Sequence, residues 1–157
     1  MPRELFEKKI KQIQDEILLL GSMVEQATLD SVSIFKNRDI DAAKVLVEDD
    51  QNINDKRFAI ENAILILIAT QQPLAHDLRV LASMLIITNE LERMGDYAKG
   101  IASNTIRLGG SDIPVPIRNI EKMADIAVSM LHRSLTAFIK EDIKVAVKLP
   151  KEDDKVD

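Results

Sequence analysis

The chain of 157 residues contains no cysteine and no tryptophan, with only four phenylalanines and one tyrosine. Without cysteine there is no disulfide framework, no thiolate metal site and no thiol nucleophile. With so few rings the core must be aliphatic, built from Leu, Ile, Val, Met and Ala, which suits helices packed side by side. Glycine and proline occur five times each, too few for a turn-rich all-β design. No serine stands in a strand-turn-helix setting with a histidine, and there is no Gly-rich phosphate loop. The net charge is −5 with basic residues scattered, whereas a nucleic-acid groove needs a clustered basic face. The longest apolar run, AILILIA at 63–69, is far short of the roughly 20 residues that span a bilayer. The opening MPRELFEKKIKQIQDE alternates in charge, unlike a signal peptide. A soluble cytoplasmic protein is the expectation.

What is present is helical almost throughout. The hydrophobic share of 46% supports a real core. Apolar residues recur along a first helix from about Arg3 to Asn37, which Gly21 interrupts without ending. Asp39 is a good N-cap for a second helix reaching about Thr70. Pro73 suits the first turn of a third helix, which Gly109 and Gly110 stop near Leu108. SDIPVP is a linker, a fourth helix runs from Ile117 to Ile139, and Asp142 opens a fifth. The fold class is all-α: an antiparallel three-helix bundle over 1–110, a linker at 111–116, and an incomplete second copy over 117–157.

That second copy shows as an internal repeat. At a shift of 103 residues, Ser31, Phe35, Asp39, Ile40, Ala43, Leu46 and Asp50 fall on Ser134, Phe138, Asp142, Ile143, Ala146, Leu149 and Asp153. The fourth and fifth helices then form an open hairpin, with an apolar strip through Leu131, Leu135, Ile143 and Val147. A strip of that kind usually marks an interface, so the expectation is a homodimer of paired hairpins. Pro150 should weaken the fifth helix.

The stretch NELERMGDYAKG, residues 89–100, carries an unusual combination. Glu92 and Asp96 lie one turn apart, where like charges repel by a few tenths of a kcal/mol (about 0.2–0.5). Gly95 beside them costs roughly 1 kcal/mol relative to alanine. The apolar seam of this helix reads as Val80, Met84, Ile87, Leu91, Met94, Ala98, Ile101, Thr105 and Leu108. Asn89, Glu92, Arg93 and Asp96 then face outward. One explanation is a solvated face in which Asp96 pairs with Arg93 or Lys99. The other is an oxygen-rich metal site: pivoting about Pro73 puts Glu92 level with Asn54 and Asp96 with Asp50, with Asn89 as a further donor and Gly95 leaving room. His76 and His132 lack a histidine partner at ligand spacing and read as surface or packing residues.

Taken together, DIDAAKVLVEDDQNIN, QQPLAHDLR and NELERMGDYAKGIA resemble, in order and spacing, the second helix, turn and metal-motif helix of the PhoU family of phosphate-signalling proteins. The resemblance covers the whole chain. It places the family's Glu/Asp-x-x-x-Asp motif on Glu92 and Asp96, and implies tandem three-helix bundles carrying iron or zinc, as a multinuclear cluster, on the bundle surface. It implies a non-enzymatic repressor of the phosphate regulon, acting with the phosphate ABC transporter ATPase and a sensor histidine kinase. Contact with the membrane would be indirect, through those partners, and Arg93 and Lys99 are candidates to meet them. The family's second metal-motif helix does not occur in this sequence, and Asn54 stands where a carboxylate would bind more firmly. A metal-free helical adaptor remains an alternative. A di-metal carboxylate enzyme is a poorer one, because neither histidine has a glutamate three residues before it.

Overall fold

The computed structural model describes residues 3–111, 114 and 116–157. Helices α1 (Arg3–Asn37), α2 (Ile40–Gln71) and α3 (His76–Leu108) are each eight or more turns long, followed by α4 (Ile117–Ile139), α5 (Ile143–Ala146) and α6 (Pro150–Asp153). Helices α1 and α2 each pack more extensively on α3 than on one another, and α4 packs against α1. The main core cluster is aliphatic except for Phe6, with Ile17, Leu20, Val24, Ile64, Leu81 and Met84 almost wholly buried. Helix α1 includes a window of mean hydropathy 1.2, long and apolar enough by composition to cross a membrane. A third of that window is buried: Ile17, Leu20 and Val24 face the bundle, whereas Leu18 and Leu19 are exposed.

Most of the helix ends follow local chemistry. Asp39 is non-helical, and its carboxylate accepts the Ala42 N–H at 3.0 Å. The repeat reproduces this turn: Asp142 accepts from the Val145 N–H at 3.1 Å. The preceding residues, Arg38 and Glu141, are both left-handed, with φ of 53° and 52°. Gly109, with φ of 55°, ends α3 where expected. Of the linker at 111–116, Asp112, Ile113 and Val115 lie outside the described residues.

Two expectations need correction. Pro73 does not sit in the first turn of α3, which starts three residues later at His76. Gln72 and Ala75 both take positive φ (46° and 51°), so the chain reverses in two left-handed steps and Pro73 lies between them. The fifth helix also does not run on. It ends after Ala146, and Pro150 opens a separate short helix at its N1 position instead of weakening a continuous one. A proline lacks an N–H to donate, so a helix start accommodates it where a helix interior does not.

The strip on α4 is largely covered by the chain's own α1. Leu135 belongs to the core cluster, and Leu131 and Phe138 pack against it. Gly21 makes this possible, since a Cβ there would stand within 2.3 Å of Leu135 Cδ1. Ile143 and Val147, beyond the edge of α1, do stay exposed.

A charged seam between the second and third helices

The buried face of α3 is Leu81, Met84, Thr88, Leu91, Gly95, Ala98, Ala102 and Thr105. Of the expected seam, Met84, Leu91, Ala98 and Thr105 are buried, whereas the burial expected at Val80, Ile87, Met94 and Ile101 falls one residue later and Leu108 is half-buried. Val80, Ile87 and Met94 are half-buried flanks. The reason is that α3 lies between two neighbours, and a helix approached from two sides puts its small residues (Thr88, Gly95, Ala102) at the closest contacts. Sequence periodicity locates the apolar arc but does not say which column neighbours approach most closely.

That one-residue rotation changes the proposed site. Gly95 is buried against α2: an added Cβ would meet Ile53 Cδ1 at 3.2 Å and Asp50 Oδ1 at 3.8 Å. The glycine makes room for Ile53. Glu92, expected to face outward, is half-buried beside this contact, whereas Asn89, Arg93 and Asp96 are exposed. Asn89 donates its side-chain amide to the Leu85 carbonyl at 3.0 Å. Arg93 bonds Glu90 at 3.1 Å instead of pairing with Asp96.

Asp50 is only 4% exposed and lies on the buried face of α2 with Ala43 and Ile64. A buried carboxylate is costly unless paired and hydrogen-bonded. Lys99 of α3 supplies its ammonium to Asp50 Oδ2 at 3.0 Å, and Asn54 donates its amide to the same oxygen at 3.1 Å. The pairing raises the Lys99 pKa, first through that hydrogen bond and then through the Asp50 charge. One heptad along α2, Arg57 ion-pairs with Glu61 at 2.7 Å and exerts its charge on Glu92, one heptad back along α3 from Lys99. The charges alternate as an antiparallel ladder in which Asp50–Lys99 is the ion pair between helices, while Arg57 pairs with Glu61 on its own helix and acts on Glu92 by charge alone. Arg57 was not anticipated. The signal was available, because Asp50 and Arg57 continue the heptad column of Ala43 and Ile64.

The ladder does not neutralise every charge. Burial raises the Glu92 carboxyl above its ordinary 4.5, Asp96 raises it further by charge, and Arg57 opposes them, with smaller contributions from Asp50 and a hydrogen bond to Asp96. Ionising Glu92 therefore works against the fold. Its contribution is greatest below about 4.5 and falls as pH rises through the raised value. Asp50, Asn54, Glu92, Asp96 and Lys99 are thus one electrostatic neighbourhood, as the sequence suggested, with Asn89 and Arg93 on its outer side.

Glu92 and Asp96 leave unrelieved carboxylate charge at this turn, the Asp96 charge being one cause of the raised Glu92 carboxyl. Asp50 is committed to Lys99. Among the described residues no group of three or more His, Asp and Glu stands close enough to hold a metal ion, so these side chains do not assemble the donor set of a multinuclear cluster. Neither histidine joins the seam: His76 meets Glu141 at 3.1 Å and His132 meets Glu25 at 3.4 Å, both at the surface.

The model of the PhoU domain family matches residues 17–105 and 120–157. The chain is 35% identical, over its full length and 72% of the relative, to a phosphate-specific transport system accessory protein PhoU homolog of Clostridium acetobutylicum. It is 34% identical to the phosphate-specific transport system accessory protein PhoU of Escherichia coli, with 97% of this chain and 63% of that protein covered. Its backbone is similar to the crystal structure of the phosphate transport system regulatory protein PhoU from Streptococcus pneumoniae, with TM-score 0.87 and 26% identity over 96% of this chain and 70% of that one. The crystal structure of PhoU from Pseudomonas aeruginosa matches with the same TM-score and identity, covering 96% and 72%. The chain thus spans roughly two thirds of the length of these relatives.

Proposed function

The chain belongs to the PhoU family, and from that membership we propose that it is a regulatory accessory protein of phosphate uptake, not an enzyme. The observation that carries this reading is agreement over nearly the whole chain at TM-score 0.87 with a phosphate transport regulatory protein. In this reading the protein is cytoplasmic and restrains the phosphate regulon, through the transporter ATPase and a sensor histidine kinase. Residues 117–157 open a second repeat. A homodimer would use the apolar surface left outside α1, at Ile143 and Val147.

Glu92 and Asp96 would hold an iron or zinc ion, with Asp50 as a further donor only if Lys99 left it. The ion would supply positive charge where two carboxylates repel, and so tie the state of this turn to metal supply. The support is the strain at Glu92, whose carboxyl is held above its ordinary range chiefly by burial and Asp96.

Two measurements test this. Expression of the chain in cells lacking their own PhoU-type protein should lower a phosphate-starvation reporter at high phosphate. An unchanged reporter with soluble protein present rejects the regulatory role. Glu92→Ala with Asp96→Ala should abolish iron or zinc retained after dialysis, read by mass spectrometry, with the melting curve kept. Equal metal in variant and wild type rejects the metal seat.

A further inference from the structure

A groove of about 820 Å³ lies between α1 and α2. It runs from Ser22 to Ile34 on α1 and from Ala42 to Ile53 on α2, about 18 Å at the helical rise per residue. Its floor is apolar, with Met23, Ala27, Leu46 and Ile53, and it reaches Gly95 of α3. Val45 on the α2 wall is 56% exposed, a large apolar side chain without cover.

The charges along the groove are of one sign. Asp30 stands on the α1 wall and Asp49 on the α2 wall, and among the described residues no lysine, arginine or histidine lines the groove. Asp50, the third carboxylate, is already matched by Lys99. Asp30 accepts a neutral amide from Gln26 at 2.8 Å, so its charge is not cancelled.

The geometry points to a binding surface for a cationic amphipathic helix of a partner protein, of about twelve residues. Its apolar stripe would lie on the floor, with lysines or arginines on both edges meeting Asp30 and Asp49. This is the helix-in-groove mode, in which i, i+3 or i+4, and i+7 anchors supply affinity by burial. The wall carboxylates choose the sign of the partner and speed its arrival, since exposed charges contribute more to specificity than to binding energy. The inference goes beyond the family reading and uses neither Glu92 nor Asp96, so it stands or falls apart from the metal seat.

The test uses the full chain and a synthetic helical peptide of about 14 residues, with leucines on one face and lysines on both flanks. A twin carries glutamates in place of the lysines. Fluorescence polarisation should show binding of the lysine peptide that weakens with salt, and no binding of the twin. Asp30→Lys with Asp49→Lys should cut affinity tenfold or more for the lysine peptide and create binding of the twin. Ala27→Trp should fill the floor and block both. Asp125→Lys on α4, far from the groove, should change affinity less than twofold, and melting curves check that each variant folds. The proposal is overturned if Asp125→Lys weakens binding as much as the wall reversals do, which means net charge alone is read. It is equally overturned if Ala27→Trp leaves binding intact, or if the chain self-associates with rising concentration and Ala27→Trp abolishes that. In that last case the occupant is a second copy.

Discussion

Asp50 would be an error in a plain aliphatic core, and at the level of single residues it is corrected by one neighbour. Lys99 reaches it from the next helix at 3.0 Å, while its own head stays partly in water. Removing the cation leaves the carboxylate buried with only the Asn54 amide and no counter-charge. Lys99→Met should therefore lower stability by about 1–3 kcal/mol, the cost of orphaning a buried polar group. Asp50→Asn keeps the shape and removes the buried charge, so it should cost less than about 1 kcal/mol. Urea unfolding of both variants checks the ranking. If Lys99→Met unfolds at the wild-type midpoint, Asp50 finds its compensation elsewhere. Spacing grouped residues 50, 54, 92 and 96 across α2 and α3 and left Lys99 as a pairing option for Asp96, whereas in the structure Lys99 reaches Asp50. Their roles were less legible, because pairing depends on a register that no single helix contains.

Among the long helices, glycines occupy interior positions for two different reasons, and alanine substitution separates them. Gly100 of α3 has nothing within 4 Å of where a Cβ would go, so Gly100→Ala should stabilise by about 1 kcal/mol through helix propensity alone. At Gly95 the same gain meets Ile53 at 3.2 Å, and the two effects should nearly cancel. At Gly21 the new methyl would overlap Leu135, at 2.3 Å from Cδ1. Gly21→Ala should push α4 off α1 and destabilise by about 1–3 kcal/mol, as overpacking does. Thermal melts of the three variants should rank them 100, 95, 21 from most to least stable. A stabilised Gly21→Ala variant would show that Leu135 repacks freely. The sequence marks Gly21 as an interruption and Gly95 as room beside a site, but names neither Leu135 nor Ile53 as the neighbour, since what surrounds a helix interior is not written in it.

For the whole molecule, the question is whether α4 stands as a separate hairpin or completes the bundle. Leu135 sits in the same buried cluster as Leu20 and Val24, and Lys36 of α1 bonds Glu121 of α4 at 2.8 Å. Arg133 fastens the tail by a bidentate pair with Glu152, the Nη1 contact being 2.7 Å. The chain should accordingly unfold in one transition. Leu135→Ala should lower global stability by about 2–5 kcal/mol, the usual range for a core leucine, without splitting the curve. Two resolved transitions in calorimetry would instead make α4 an independent unit. Because Leu131 packs against the same core, Leu131→Asp should likewise lower stability.

The sequence alone determined the all-helical class, the ends of α1 and α4, the C-terminal end of α3, and the repeated Asp-capped turn. These depend on interactions within a few residues, where a carboxylate meets the N–H three positions on or a glycine accepts positive φ. It also determined the family, through motifs spread over the whole chain. Tertiary structure decided which column of α3 is buried, that Gly95 admits Ile53, that Asp50 belongs to Lys99, and that α1 covers α4. Each of these is a contact between helices whose relative rotation is set by packing the bulk of all their faces at once. A shift of one residue, invisible in periodicity, moves Glu92 from solvent to the edge of the core.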